Sequence, residues 1–338
     1  MSEAVPQRVY FNFRLGEWTV FESVRNMQIH KLDHTDYSEG TAMDFDPPDI
    51  PVDLDGLFIP SMPIQGSLPR LRVGRRSIRY APEQFDRYFV ELSGTFDDYL
   101  TRFSRKSRST LRRKIRKLAT KSGGRIDLRE YKTPEQMKEF YVLARRVSAR
   151  TYQETMLDMG LPAGEGFQQR MLAAAEKDEV RAYLIVSEGG PIAYLYCPVW
   201  NGAVLYQYLG YLQEFSDLSP GTVLLLLALE RLHEERKFKL FDFTEGGQAG
   251  AGGHKEFFAT TSRRCANVYY LHTSPGNLLL VVSHAAANWF SSAVGRVLTA
   301  VGMKARMKKI MRASRGRLNR RRIDEEPFER RPESTRRG

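Results

Sequence analysis

The hydrophobic period of this chain changes twice between Val180 and Lys239, and that change constrains the fold more than any other stretch. "VRAYLIVS" (180–187), "PIAYLYCPVW" (191–200) and "AVLYQYLGY" (203–211) are dense in β-branched and aromatic residues. They are joined by the turn-formers "EGG" and "NG", so they read as antiparallel strands. "SPGTVLLLLALERLHEERK" (219–237) then takes a helical period, with Ser219 as N-cap and Pro220 at the first helical position. "FKLFDFTE" returns to strand, "HKEFF" makes a short helical turn and "CANVYYLH" is a last strand. Strands, helix and further strand in this order describe an α+β domain from about residue 126 to 273.

Upstream, Thr95 and Asp98 form a capping pair that opens a helix with apolar positions at Phe96, Tyr99, Leu100, Phe103, Leu111, Ile115 and Leu118. "KSGG" closes it. Further helices are expected from Pro134 and over "GEGFQQRMLAAAEKD". Strand-like pieces at Leu71–Val73 and Tyr88–Leu92 follow the acidic, proline-rich connection "DFDPPDIPVDLDG". The resulting division is an N-terminal irregular α/β region (1–92), a main domain (93–273), an amphipathic basic helix (274–312) and a charged tail (313–338) whose composition points to disorder.

Net charge is +12 over 338 residues, but it is concentrated. Residues 102–125 hold eleven Lys/Arg and no Asp/Glu, and 301–338 hold fourteen against five. The rest of the chain is therefore acidic on balance, and partner arguments belong to those two segments. The basic helix, 102–121, suits a solvated face, a clamp on tRNA or a nucleotide-linked substrate, or a contact to anionic lipid. In 277–300, Leu279, Val282, Ala286, Trp289, Phe290, Ala293 and Val297 fall on one side; Asn277, His284, Asn288, Ser291 and Arg296 fall on another. That amphipathic pattern predicts docking of the apolar side on the chain's own domain, with a membrane surface as the second reading.

Cys197 and Cys265 lie in apolar runs and read as reduced core residues of a cytosolic protein, and "MSEAVPQRVYFNFRLGEW" carries no signal-peptide pattern. "HKLDH" (30–34) has two histidines at helical spacing but no third ligand nearby, so no metal is expected.

Two stretches carry candidate chemistry. The helix start at "LSPGT" offers unpaired backbone N–H groups to an anion. "FDFTEGGQAGAGGHKEFFAT" (241–260) opens a strand into five glycines and closes on Lys255, which suits a loop that folds over a ligand. It is not a nucleotide-hydrolase phosphate loop, because His254 interrupts the Gly-Lys-Ser/Thr pattern.

"LRRKIRKL", "RTYQE", "LSPGTVLLLLALE" and "FDFTEGG…HKEFFA", in this order, resemble the acetyltransferases of cellulose and exopolysaccharide synthesis, the CelD/BcsL type with a BioF-like GNAT domain. The resemblance covers about residues 85–272. It implies a mixed, mostly antiparallel sheet flanked by helices; a doubled GNAT fold, as in Fem-type transferases, would make residues 1–92 a degenerate first GNAT-like half. The strand at Tyr206–Tyr211 would splay from that at Phe238–Phe243 to admit a pantetheine arm. Backbone N–H groups near Leu209 and Gly210 would polarise the thioester, and Ser219, Gly221 and Thr222 would take the pyrophosphate. Glu245 or Asp242 would be the general base; strand alternation points them to opposite faces, which favours Glu245 as base and Asp242 as a structural acceptor. Tyr208 is a candidate acid, and Tyr152, Gln153, Lys255, Gly246 and Gly247 are candidate acceptor contacts.

The donor implied is acetyl-CoA or another acyl-CoA, without metal, and the acceptor an amine or hydroxyl of a saccharide. The helix start departs from the Gln/Arg-led GNAT phosphate motif. Related Fem-type transferases lack that motif too and use aminoacyl-tRNA, which makes tRNA the partner under an alternative reading. A non-catalytic scaffold subunit of an exopolysaccharide machine is a third. The expected location is cytoplasmic, peripheral at the inner face of the membrane through the basic C-terminal segment.

Overall fold

A computed structural model describes residues 5–15, 18–32, 37, 50–151, 160–187, 189–244 and 253–300. Its strands are β1 (Val5–Leu15), β2 (Trp18–Ile29), β3 (Gly56–Pro63), β4 (Leu71–Val73), β5 (Ser77–Glu91), β6 (Asp127–Tyr131), β7 (Val180–Ser187), β8 (Gly190–Trp200), β9 (Ala203–Leu205), β10 (Tyr208–Tyr211), β11 (Leu240–Asp242) and β12 (Thr261–His272). The helices are α1 (Phe96–Thr101), α2 (Arg105–Lys121), α3 (Pro134–Ser148), α4 (Glu165–Glu176), α5 (Pro220–Glu235), α6 (His254–Phe258) and α7 (Pro275–Ala300). The result is a mixed α+β structure with one large, mostly antiparallel open sheet flanked by helices, as the sequence implied.

The sheet order is β1-β2-β3-β12-β5-β11-β9-β8-β7-β6, with β10 beside β8 and β4 beside β5. β5 lies between β11 and β12, so residues 77–91 share one sheet with the strands of the 93–273 segment. The hairpin turn between β8 and β9 is Asn201-Gly202, both at positive φ (47° and 78°), the geometry for which Asn-Gly is suited.

The expected helix from Thr95 is two helices. Thr95 and Asp98 do form a reciprocal capping box, but α1 ends at Thr101. Ser104 starts α2 afresh, its hydroxyl accepting from the Ser107 amide at 3.1 Å. Between them Phe103 turns inward against Phe257 and Phe258, a tertiary contact invisible to periodicity. α3 begins with the same device, a Thr133–Gln136 capping box with Pro134 inside.

The main core lies between the sheet and helices α3, α4 and α5; Val180, Tyr183, Leu184, Leu195, Leu224, Leu225 and Leu229 are all buried. One charge is buried with them. Arg181 on β7 is 1 % exposed. Its Nε donates to Glu235 Oε2 at 3.0 Å, and a terminal nitrogen donates to Asp178 Oδ1 at 2.6 Å. Burial by itself lowers the guanidinium pKa; Glu235 and Asp178 outweigh it and hold the group charged. The pair ties the C-terminal end of α5 to β7.

α7 reverses the expected orientation. Leu280 and Val281 are buried against Val9, Phe11, Ile78 and Tyr80. On the same side His284 Nδ1 lies 2.8 Å from the Tyr80 hydroxyl, and Asn277 donates to the His272 carbonyl at 3.0 Å. Leu279, Val282, Trp289 and Phe290, expected to dock, face outward at 71 %, 47 %, 63 % and 55 % exposure. The inner side wins because the sheet face it meets supplies hydrogen-bond partners as well as apolar surface. Cys197 and Cys265 are buried free thiols.

Glu235→Ala leaves the Arg181 charge short of its main partner and should lower unfolding stability by about 3 kcal/mol. Urea unfolding checks it, with the midpoint falling at unchanged slope.

Candidate active site

The site is built by two parallel neighbours that separate. β9 runs parallel to β11, pairing Ala203 with Leu240 and Leu205 with Asp242. The last backbone link is the Tyr206 amide donating to the Asp242 carbonyl at 2.8 Å, beyond which the Thr244 hydroxyl reaches the Tyr206 carbonyl at 3.4 Å. Beyond it the chain from 208 to 211 stays with β8, whereas the Phe243 amide donates to Tyr88 of β5 at 3.0 Å. The parting coincides with a β-bulge. Against β8, Val204 pairs with Val199, but Tyr208 pairs with Tyr196, one residue out of that register. The extra residue at Tyr206–Gln207 bends the strand away from β11.

The register also orients the backbone. Leu212 donates to the Ile192 carbonyl of β8 at 2.9 Å. Alternation along β10 therefore aims the Gly210 and Tyr208 amides at β8 and the Leu209 and Tyr211 amides at the side β11 has left. Of the two amides expected to face the opening, Leu209 does and Gly210 does not.

Gly210 has a different reason to be glycine. A Cβ there would lie 2.5 Å from the Tyr194 ring and 3.0 Å from Thr151. Gly221 is similar but looser, its Cβ falling 3.1 Å from Leu209 and 3.2 Å from Tyr211 side-chain atoms. Gly210 leaves room for the Tyr194 ring of β8 and for Thr151, and Gly221 lets α5 pack closely on β10. Ser219 is not the expected side-chain cap: it sits in the left-handed region (φ 53°) and its hydroxyl makes no capping bond. Gly221 is buried against β10 and Thr222 is half-buried, so the accessible part of this helix start is at Thr222 rather than at Gly221.

Cations gather there. Lys114 of α2 reaches the Thr222 hydroxyl at 3.5 Å. Lys255 Nζ donates to the Phe243 carbonyl at 2.7 Å and lies 5.7 Å from the Tyr206 ring centroid, at the point where the strands part. Between them is His254, whose pKa is held below its ordinary value by partial loss of hydration and then by the charges of Lys114 and Lys255. α6, which carries His254 and Lys255, is pinned by α1: Tyr99 donates to the Phe258 carbonyl at 2.8 Å and Arg102 to the Phe257 carbonyl at 3.0 Å.

Asp242 is 4 % exposed. Arg87 of β5 holds it in a two-pronged ion pair, Nε lying 3.1 Å from both carboxylate oxygens, and the Thr244 amide donates to Oδ1 at 2.7 Å. Arg87 is also stacked over Tyr37 at 4.6 Å. The aspartate thus secures the end of β11 and fixes Thr244 at φ 59°, an unusual conformation for a β-branched residue. Tyr208 packs against Phe167 and Tyr196, ring centroids 5.9 and 6.2 Å away. Burial raises its phenol pKa, with Arg170 pulling the other way, so the hydroxyl keeps its proton at neutral pH.

A second basic feature lies on the outer side of α2, where Arg105, Arg108, Arg112 and Arg116 line a groove of about 810 Å³ with Ser109 and Ile115. These four arginines make no hydrogen bond or ion pair among the described residues. Tyr152, Gln153, Glu245, Gly246 and Gly247 lie outside the described residues. The residues that sequence reasoning missed are Arg87, Lys114 and His254. A histidine and a lysine directly after the glycines were a signal for His254, whereas nothing local marks Arg87, 155 residues from Asp242.

Residues 105–256 match the family model described as Acetyltransferase (GNAT) domain. No curated protein matches the chain. Among solved structures, it is similar to L-PGS from Bacillus licheniformis at 14% identity and a TM-score of 0.43, covering 68% of this chain and 72% of that one. FemX is similar at 10% identity and a TM-score of 0.42, over 58% and 63%. A GCN5-related N-acetyltransferase from Kribbella flavida is similar at 13% identity and a TM-score of 0.29, over 60% and 62%.

Gly210→Ala should cost about 1–3 kcal/mol, because the rigid Tyr194 ring must move, whereas Gly221→Ala should cost less than about 1 kcal/mol. Urea unfolding of both variants separates the two packings; equal costs would contradict the geometry.

Proposed function

We propose, for a chain whose residues 105–256 match the model of a GNAT acetyltransferase domain, that it moves an acetyl group from acetyl-CoA to an amine or hydroxyl of a saccharide-type acceptor. The observation that carries this reading is the parting of β10 from β11, with the Leu209 amide facing the opening. A backbone N–H fixed there can donate to a thioester carbonyl oxygen as negative charge develops on it. Thr222 and Lys114 supply a hydroxyl and a charge for the donor's phosphates.

Tyr208, held protonated by burial, gives its proton to the departing sulfur. The acceptor's proton passes to Glu245 or to His254, whose depressed pKa leaves it unprotonated at neutral pH. Asp242 has its carboxylate committed to Arg87 and serves as a positioning residue at the end of β11. Lys255, with Tyr152, Gln153, Gly246 and Gly247, contacts the acceptor. No thiol is available as a nucleophile, since both cysteines are buried, and direct attack in a ternary complex is favoured. The motif order supports an acceptor in exopolysaccharide or cellulose synthesis.

A second reading, an aminoacyl-tRNA-dependent transferase, is favoured by the four unpaired arginines along α2. It requires a salt-dependent gel shift with charged tRNA, and absence of a shift at low salt removes it.

Calorimetric titration with acetyl-CoA should give saturable binding, and Lys114→Ala should weaken it about tenfold, the worth of one charged hydrogen bond. No heat at millimolar acetyl-CoA overturns the reading. Asp242→Asn should lower stability by about 3 kcal/mol through the stranded Arg87 charge, yet leave acetyl-CoA affinity of the folded protein within about threefold. A selective loss of catalysis in folded Asp242→Asn would instead make the aspartate the base.

A further inference from the structure

The outward side of α7 leaves a row of large apolar side chains in water. Leu279, Val282, Ala286, Trp289 and Phe290 follow one another at the three- and four-residue spacing of a single helical stripe, and all are exposed. Phe21 of β2, 60 % exposed, lies on the sheet face that α7 covers. Its ring packs on Phe13 at 5.4 Å, and Phe13 in turn lies 5.2 Å from His284. The stripe is not the loose side of a poorly docked helix. The opposite side is fixed by Leu280 and Val281 and by the hydrogen bond between His284 and Tyr80. The helix is therefore held with bulky apolar side chains aimed at solvent, and singly scattered exposed residues do not make such a row.

The sequence directly after α7 says what covers it. Residues 301–322 contain ten Lys/Arg and no Asp/Glu. An anionic lipid surface has the complementary charge. It also has the depth profile the stripe needs, because Trp and Phe side chains partition into the headgroup–acyl boundary. No described helix is long and apolar enough to cross a membrane, so contact would be in the plane of the interface.

We propose that the outward face of α7, with Phe21 beside it, is a membrane-docking surface for anionic phospholipid, assisted by the basic segment that follows the helix. Two weak signals act together: the apolar stripe enters the interface and the cationic segment holds to the headgroups, the combination that single signals cannot replace. This inference does not depend on the acyl-transfer reading.

The test is co-sedimentation of the full chain with vesicles of phosphatidylcholine alone or with about one third phosphatidylglycerol, at low and high salt. Expected are binding to the anionic vesicles, at least tenfold weaker binding to neutral ones, and weakening by salt. A Trp289→Glu/Phe290→Glu variant should lose at least tenfold in partitioning. Both sites are exposed, so its circular dichroism and acetyl-CoA titration should match the parent. In a Trp18→Phe/Trp200→Phe background, the fluorescence of Trp289 should shift to the blue and be quenched by brominated lipid. No binding to anionic vesicles at low salt overturns the proposal. Binding that persists undiminished in the double glutamate variant overturns the role of α7. A dimer in sedimentation velocity that the variant abolishes, without vesicle binding by the parent, shows a second copy as the occupant and overturns it as well.

Discussion

The functional geometry depends on one extra residue. Because Tyr208 faces Tyr196 where continuous register would place its predecessor, the strand from Ala203 to Tyr211 cannot stay beside both of its neighbours. It keeps β8 and abandons β11. Everything proposed for the site follows from that choice: the Leu209 amide is left without a strand partner and the mouth between the strands opens. The next helix is delivered to the side of the opening and packs on β10 through Gly221, whose Cβ would fall 3.1 Å from Leu209.

The opening is stabilised from both edges by interactions that cross the whole chain. Arg87 lies on a strand from the N-terminal segment, and its ion pair with Asp242 anchors the end of β11 on the far side of the gap. On the near side, Arg181 ties α5 to β7. Two residues in left-handed conformation, Ser219 and Thr244, mark where the chain leaves these anchors and turns toward the site. Each costs of order 1 kcal/mol, and the surrounding pairs keep that strain in place. Charge is distributed by the same logic. α2 turns Lys114 and Lys117 toward α5 and the turn before it, and its remaining arginines outward.

Local signals carried a large part of this structure. Thr95 with Asp98, Thr133 with Pro134, and Asn201 with Gly202 each have the residue types their backbone geometry requires, so they were legible without any tertiary information. The alternation in 180–211 and the apolar helix at 223–229 gave the α+β class. The break at Phe103 was not legible, because an inward-facing aromatic fits an unbroken helix equally well. The commitment of Asp242 to Arg87 was hidden by sequence distance, and the missing cap at Ser219 by a backbone conformation that no residue type announces.

What the sequence by itself determined is the order of elements from Pro134 to His272 and the presence of a helix start and a glycine-rich stretch near one strand end; β1, β2, β3 and β6 were not legible in it. These rest on periodicity and capping, which act over a few residues. Tertiary structure alone decided where β11 parts from β10, which amide faces the gap, and which lysines and histidine surround it. It also decided that α7 turns its hydrogen-bonding side inward. Amphipathicity defines two sides of a helix but not which one meets the protein. That depends on what the opposing surface offers, and a sheet face presenting the Tyr80 hydroxyl to His284 favours the side that can bond to it.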